Sequence, residues 1–273
     1  MNTRVAGLEL RRPRSVDDAL RLLRDEPDLT PIAGATDLYV ALNFGTLTSS
    51  RFLDLWALEA LRTIEMRGDT LVIGALASYS AIMRSPLVQR RLPILVQAAG
   101  QIGGVQIQNR GTLGGNIANG SPAGDSLPVL AVADALVVLR DADGERRVPL
   151  TQYYTGYRAA VRRTDELIVA VEIPPMPERQ WFRKVGTRAA QAISKVVMAA
   201  VRAPEPRLAL GSVAATVVRL PRTELALAQG AAMDEAVAVL VDEIEPIDDV
   251  RSTAAYRRAV SANLLRRFWA ETA

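Results

Sequence analysis

The most constraining feature of this 273-residue chain is a glycine-rich segment near its middle. The stretch Gly100–Gly124 holds eight of the 18 glycines, and residues 103–125 read GGVQIQNRGTLGGNIANGSPAGD. Glycine permits positive φ angles and close approach to the backbone at an entropic cost, so a cluster of glycines requires a reason. Two reasons remain open from composition alone: a run of tight turns, or a ligand that lies against the main chain.

Polar side chains within this segment favour the ligand. Its hydroxyl and amide groups are those of Thr112, Ser121, Asn109, Asn116 and Asn119. Such donors suit a phosphorylated ligand, yet the sequence contains neither the GxxxxGK[ST] phosphate loop nor a GxGxxG that follows a strand and opens a helix. Another stretch of small residues, Ala33–Asp37, lies far upstream of the glycine-rich segment. The two stretches together would clamp a long dinucleotide by its pyrophosphate.

The absence of two residue types excludes several chemistries. The chain has no cysteine and no histidine. It therefore has no disulfide, no cysteine-ligated zinc and no iron–sulfur cluster of its own, and it lacks the residues of a Ser-His-Asp triad or an HExxH zinc site. Redox activity in this chain would require a bound organic cofactor.

Charge and hydropathy limit the kinds of partner and the cellular location that the sequence predicts. The net charge is only +3, the basic residues are scattered, and aromatic residues make up 5% of the chain, so nucleic-acid binding is not expected. No apolar run approaches the ~18–20 residues of a membrane span. The first 15 residues contain no apolar core of a signal peptide, which predicts a cytoplasmic protein.

Residue patterning predicts an α+β protein with two domains. A helix is expected at residues 15–25 with Ser15 as its N-cap, because small and aliphatic residues recur on one face. The prolines at 174–177 mark the expected domain boundary. Beyond it the sequence predicts antiparallel strands and then two closing helices, a regular alanine-rich one at 223–242 and another at 252–270.

Three ordered motifs and a tail carry a resemblance to a known family. The motifs are PIAGATDL at 31–38, QIQNRGTLGGNIANGSPAGDSLPVL at 106–130 and FRKVGTRAAQAISKV at 182–196, and the tail is IDDVRSTAAYRRAVSANLLRRF at 247–268. The chain resembles the FAD-binding (medium) subunits of molybdenum hydroxylases, which include xanthine and carbon monoxide dehydrogenases. The resemblance implies a vanillyl-alcohol-oxidase-type FAD domain at 1–175, with two α/β subdomains at about 1–55 and 56–175, followed by a smaller α+β domain at 176–273.

The resemblance also implies a set of cofactor contacts. The first motif would meet the pyrophosphate and ribose, the second motif the pyrophosphate, Asp125 a sugar or ribityl hydroxyl, and Lys195 the pyrimidine end of the flavin. Ala35 stands where the family usually has a glycine, and a methyl group there is tolerated if its φ is negative. The implied FAD-binding residues are Ile32, Ala33, Gly34, Ala35, Thr36, Asp37, Leu38, Ile107, Thr112, Gly114, Gly115, Asn116, Ala118, Asp125 and Lys195.

Ordinary structural roles stay open for the charged members of this set. Asp37 and Asp125 each precede an expected helix and would serve equally as N-caps, and Lys195 would serve as a solvated strand residue. No residue of the chain is expected to act as a catalytic acid, base or metal ligand.

The resemblance implies a division of labour between subunits. This chain would bind FAD non-covalently, take electrons from the [2Fe–2S] clusters of a small subunit, and pass them to NAD⁺ or another acceptor. A molybdopterin large subunit would oxidise the substrate, in a dimer of heterotrimers. Two alternatives remain: a stand-alone flavin-dependent oxidoreductase of the same fold, and a binding protein that has lost its cofactor.

Overall fold

The structure is a computed structural model that describes residues 7–273. Residues 1–6, with which the predicted first subdomain begins, lie outside the described residues. Among the helices of residues 7–273, none has the length and apolar character needed to cross a membrane.

The first part of the chain forms a small parallel sheet with the strand order β1-β3-β2. Its elements are β1 (Glu9–Arg11), α1 (Val16–Asp25), β2 (Thr30–Ile32), α2 (Leu38–Phe44) and β3 (Arg51–Asp54). The α1 prediction is confirmed, since Ser15 Oγ accepts the Asp18 N–H at 3.1 Å. The buried face of α1 presents Ala19, Leu20 and Leu23 to an apolar cluster.

The middle of the chain forms a five-stranded antiparallel sheet with the order β4-β5-β10-β6-β7. A single 3₁₀ turn at Glu59–Leu61 leads into it. In chain order the elements are β4 (Ile64–Arg67), β5 (Thr70–Gly74), α3 (Tyr79–Arg84), α4 (Pro86–Arg91), α5 (Pro93–Gly100), α6 (Val105–Arg110), α7 (Leu113–Asn119), α8 (Ser126–Val132), β6 (Leu136–Arg140), β7 (Glu145–Pro149), α9 (Leu150–Tyr153), β8 (Tyr154–Gly156), β9 (Ala159–Ala160) and β10 (Leu167–Ile173).

The last part is a four-stranded antiparallel sheet, in sequential strand order, with three helices. Its elements are β11 (Gln180–Val185), β12 (Val196–Val201), β13 (Arg207–Gly211), β14 (Val218–Arg219), α10 (Pro221–Ala228), α11 (Met233–Glu243) and α12 (Ala254–Glu271). The prediction of one regular helix at 223–242 is wrong. The helix is broken after Ala228, where Gly230 has a φ of 78° that no helix interior accommodates.

Strand β12 shows how the two halves are held together. All six of its residues are buried, which is the expectation for a strand covered on both faces. Val197, Ala199 and Val201 join the cluster around the five-stranded sheet and its helices. Val196 and Met198 face the opposite way, into the cluster formed with the three C-terminal helices. The sheet of the last part is therefore the shared wall of two cores.

Candidate functional site

A cleft of about 590 Å³ lies where the two small-residue motifs meet. Its volume falls in the range of small-molecule and cofactor sites. The first motif enters the wall from the β2–α2 connection, and the second from α6 and α7. All of the predicted residues except Asp125 and Lys195 lie in this wall, namely Ile32, Ala33, Gly34, Ala35, Thr36, Asp37, Leu38, Ile107, Thr112, Gly114, Gly115, Asn116 and Ala118.

The first motif has free hydrogen-bond donors on its backbone. Within residues 7–273, none of the backbone N–H groups from Gly34 to Asp37 donates to a protein acceptor. The carbonyl of Ala35 does accept, from the Tyr39 N–H at 3.0 Å, and so ties the motif to α2. A run of unused N–H groups in a cleft is a binding feature for anionic oxygens.

Ala35 does not have the negative φ that would accommodate its methyl group without strain. Its φ is +60°, in the left-handed region that favours glycine, and not negative. Ala35 therefore has a backbone conformation in which a Cβ atom is sterically unfavourable. The loop between β2 and α2 imposes this conformation, since Ala35 sits three residues after one and before the other.

The glycines and polar residues from Thr112 to Asn116 form the start of helix α7. Thr112 is the N-cap of α7, and its Oγ1 accepts the Gly115 N–H at 3.1 Å. The N–H groups of Leu113 and Gly114 donate to the carbonyls of Ala77 and Ala75 at 3.1 and 2.9 Å. The Asn116 N–H donates to the Thr112 carbonyl. Of the five N–H groups from Thr112 to Asn116, all but that of Thr112 therefore donate within the protein.

Tight packing, and not a ligand, explains two of the motif glycines. A Cβ atom on Gly34 would lie 1.7 Å from the carbonyl oxygen of Arg110, in the second motif. A Cβ atom on Gly114 would lie 2.6 Å from the Cβ of Ala75. The two motifs thus press directly against each other and against the end of β5.

Charged groups in the cleft wall are few. The side chain of Asp37 makes no capping hydrogen bond to α2, and burial raises the pKa of its carboxyl, an effect that Arg158 partly offsets. Arg158 is exposed and has a φ of +53°. Arg162 also lines the cleft, but its Nη1 is held by the carbonyls of Glu166 and Arg163 at 2.7 and 2.9 Å.

Asp125 is buried beside the cleft and pairs within the protein. Its Oδ2 lies 2.6 Å from Nζ of Lys184, and both side chains are 6% exposed. It does not cap α8 through its side chain. Burial raises the pKa of Asp125 to about 6, and Lys184 opposes that rise. Lys184 Nζ also donates to the Gln101 carbonyl at 3.0 Å, so the pair joins the glycine-rich segment to β11.

Lys195 also lies outside the wall of the cleft. Its ammonium nitrogen is 5.0 Å from the centre of the Tyr256 ring, within the range of a cation–π contact. Its carbonyl accepts a hydrogen bond from Nη1 of the buried Arg257 at 2.7 Å. The same guanidinium is paired with Asp249, whose pKa is lowered by hydrogen bonds from Arg251, Ser252 and Arg257 against the effect of burial.

Sequence reasoning missed several residues of the wall. Leu55 follows β3 as Ala33 follows β2, and because these two strands are parallel, both residues lie at the same edge of the sheet. That shared position could have predicted Leu55 as part of the wall. Tyr79 and Arg158 carried no such signal, since one begins an ordinary helix and the other follows a short strand.

Comparisons with known proteins identify the family of the chain. The family described as "FAD binding domain in molybdopterin dehydrogenase" matches residues 6–176, and "CO dehydrogenase flavoprotein C-terminal domain" matches residues 181–272. The carbon monoxide dehydrogenase medium chain of Hydrogenophaga pseudoflava is 31% identical over 272 residues, covering 95% of this chain and 94% of that protein. A putative xanthine dehydrogenase FAD-binding subunit of Escherichia coli K12 is 33% identical, with 78% of this chain and 76% of that protein covered.

Solved structures show the same fold along the whole chain. A structure of carbon monoxide dehydrogenase from Hydrogenophaga pseudoflava superposes with a TM-score of 0.90 at 30% identity, covering 98% of this chain and 99% of that one. Two family matches that together span nearly all of the sequence, and relatives of this identity and coverage, define membership. This chain therefore belongs to the FAD-binding medium subunits of molybdenum hydroxylases, and it is an FAD-binding subunit of an oxidoreductase.

Proposed function

We propose that this chain is an electron-transfer subunit whose FAD takes electrons from [2Fe–2S] clusters of a partner subunit and passes them to NAD⁺ or another acceptor. The observation that carries the proposal is the run of unused backbone N–H groups from Gly34 to Asp37, which opens into the cleft opposite the second motif. Bound FAD would supply the two-electron chemistry that amino-acid side chains lack.

The residues of the chain would bind and orient the cofactor. The N–H groups of Gly34–Asp37 would donate to the pyrophosphate oxygens, and the exposed guanidinium of Arg158 would add positive charge at the same wall. The second motif would act mainly as a closely packed wall, since four of its five N–H groups from Thr112 to Asn116 donate within the protein. The direct contacts expected for Asp125 and Lys195 stay predictions.

The attachment would be non-covalent, because the chain has neither of the residues, histidine and cysteine, that usually form covalent flavin links in this fold class. We also propose that residues 1–175 form the FAD domain, with subdomains divided near residue 55, and that residues 176–273 form the second domain. The proposed partners are an iron–sulfur small subunit and a molybdopterin large subunit, assembled as a dimer of heterotrimers.

Two measurements test the proposal. The purified full chain, supplied with FAD and desalted, should retain a flavin with absorption bands near ~370 and ~450 nm. Co-expression with candidate partner subunits should yield a complex that contains iron and molybdenum, and NADH should reduce its flavin if NAD⁺ is the acceptor. A chain that stays colourless both alone and in the complex would refute FAD binding, and a flavoprotein that reduces substrate without iron-containing partners would refute the subunit role.

A further inference from the structure

A tryptophan beside the cleft is enclosed by two cations. The guanidinium carbon of Arg110 lies 3.6 Å from the centre of the Trp56 ring, and that of Arg62 lies 4.1 Å from the same centre. Both distances are within the range of cation–π contacts. Two guanidinium groups this close to one ring centre would overlap on a single face. They therefore occupy opposite faces, and the indole is sandwiched between them.

This stack joins the two motifs that form the cleft. Trp56 follows Leu55, a residue of the cleft wall whose N–H donates to the carbonyl of Ile32 in the first motif at 2.9 Å. Arg110 belongs to the second motif, and its carbonyl oxygen is the atom against which Gly34 packs. Arg110 therefore contacts the other side of the cleft twice, with its backbone at Gly34 and with its guanidinium at Trp56.

Arg62 fixes the opposite face of the indole. Its Nη2 donates to the Trp56 carbonyl, and its Nη1 donates to the Leu76 carbonyl at 3.4 Å. Leu76 lies in the wall of the cleft, next to Ala75, whose carbonyl accepts the N–H of Gly114 in the second motif. The ring is therefore held where the two motifs meet.

Stacking, and not an ion pair, holds the guanidinium of Arg110. The residue is exposed, and the carboxylate of Asp54, two residues before Trp56, lies instead 3.5 Å from Nε of Arg12. The planar guanidinium of an arginine is suited to lie flat on an aromatic ring, which the compact ammonium of a lysine is not. Within the described part of the chain, the wall of the cleft includes neither Arg110 nor Trp56, so their effect on a ligand there is indirect.

We propose that Arg110 is a positioning residue for FAD, because its stack on Trp56 holds the first motif against the second at the separation that the cofactor needs. This assignment rests on the proposed use of the cleft as the FAD site. Without the stack the two motifs separate more often. A cleft that is competent for a smaller fraction of the time has a proportionally higher apparent Kd.

The test is a double-mutant cycle in the full chain, which is stripped of flavin and titrated with FAD by the change in flavin fluorescence. Arg110→Gln removes the stacked cation at an exposed position, and Trp56→Leu keeps apolar bulk but removes the aromatic faces. We expect Arg110→Gln to raise the Kd about three- to fivefold and Trp56→Leu to raise it at least as much. The double variant should bind no more weakly than Trp56→Leu alone, since Arg110 acts through the indole.

A matched control separates positioning from a general loss of stability. The guanidinium carbon of Arg202 lies 3.1 Å from the ring centre of Trp269 in α12, and this stack is not part of the cleft wall. Arg202→Gln removes a contact of the same kind and should leave the Kd for FAD unchanged, whatever its effect on the Tm of the flavin-free chain. An equal rise in Kd for Arg202→Gln and Arg110→Gln would overturn the assignment.

Three further results bear on the assignment. Wild-type affinity in Arg110→Gln would overturn it, and so would an equal effect of Arg110→Gln with and without Trp56, since that pattern means direct contact with the cofactor. If Trp56→Leu does not fold, Arg110→Lys takes its place: it keeps the charge without the planar group and should bind as weakly as Arg110→Gln, so wild-type affinity would again overturn the assignment. A wild-type chain that binds no FAD would instead overturn the proposed function, and this assignment with it.

Discussion

The two small-residue motifs look alike in the sequence but are used differently in the structure. The first, at Ala33–Asp37, leaves its backbone N–H groups without protein acceptors. The second, at Thr112–Asn116, commits four of its five N–H groups to Ala75, Ala77 and the capping residue Thr112. Hydrogen bonding therefore distinguishes a loop with free backbone donors from a mainly packed element, where glycine content does not.

The glycines add a second part to this comparison. Gly34 in the first motif and Gly114 in the second are both required by neighbouring protein atoms, at Arg110 and Ala75. A glycine in a cofactor motif is thus not evidence of contact with the cofactor. In this chain the glycines bring the two motifs together, and the free donors of the first motif face the space that results.

The largest effect on stability is expected from adding a side-chain atom where the two motifs are in contact. Gly34→Ala would place a methyl group 1.7 Å from the backbone carbonyl oxygen of Arg110, and neither backbone can move without breaking the cleft. We expect a loss of more than about 4 kcal/mol in the free energy of unfolding, or no folded protein at all. Gly144→Ala in the β6–β7 hairpin is the control, since no atom lies within 4 Å of the added methyl. Equal melting temperatures for the two variants would contradict the packing argument.

The carboxylates extend the comparison, since Asp37 faces the cleft and Asp125 is paired inside the protein. Lys184→Met would leave Asp125 buried without its cation, and its pKa would rise above the present value of about 6. Below that pH both proteins hold a neutral carboxyl, so the variant is as stable as the wild type. Above it only the wild type stabilises the carboxylate, so the loss appears as the pH rises and reaches about 3 kcal/mol.

This pH dependence is measured by chemical denaturation at pH 5 and pH 8. The double variant Lys184→Met/Asp125→Asn is the control, because it removes the buried charge together with its partner and should recover most of the loss at pH 8. A loss of equal size at both values of pH would mean that Lys184 acts through packing and not through its charge.

Local patterns predicted most of the secondary structure, because those patterns are set by residues near one another in the chain. The periodic apolar face and Ser15 predicted α1, because both signals lie within the helix or directly before it. The division of the alanine-rich helix was missed. A single glycine in such a run is compatible with a helix, and it is the packing of α10 against α11 that selects the break.

The candidate site shows the same difference between features that local sequence patterns predict and features that depend on the folded structure. Its two motifs were predicted from sequence, and the structure brings them to one cleft. The positive φ of Ala35 was not predicted, since it is imposed by the connection between β2 and α2. Tyr79 was not predicted as part of the wall either, because nothing in the sequence separates a tyrosine at a helix start from an ordinary core residue.

A smaller effect should distinguish the threonines of the two motifs. Thr112→Ala removes the cap of α7 and leaves the Gly115 N–H without its acceptor, so we expect a loss of about 1 kcal/mol from the flavin-free chain. The side chain of Thr36 makes no hydrogen bond within residues 7–273, so Thr36→Ala should leave that stability unchanged. Thermal unfolding of the two variants measures the difference, and equal losses would contradict the assignment of Thr112 as a cap.

Replacing alanine by glycine should have the smallest effect on the free energy of unfolding. The sign of that effect should differ between the two motifs. Ala35→Gly relieves a left-handed alanine, which costs about 1–2 kcal/mol, but adds about 0.5–1 kcal/mol of backbone entropy to the unfolded chain. The net gain should be below about 1 kcal/mol. Ala118→Gly in α7 makes the same change at a helical position and should lose about 1 kcal/mol. Urea titrations of the flavin-free variants should therefore move the midpoint in opposite directions with an unchanged slope, and a lower midpoint for Ala35→Gly would show that the first motif holds Ala35 without strain.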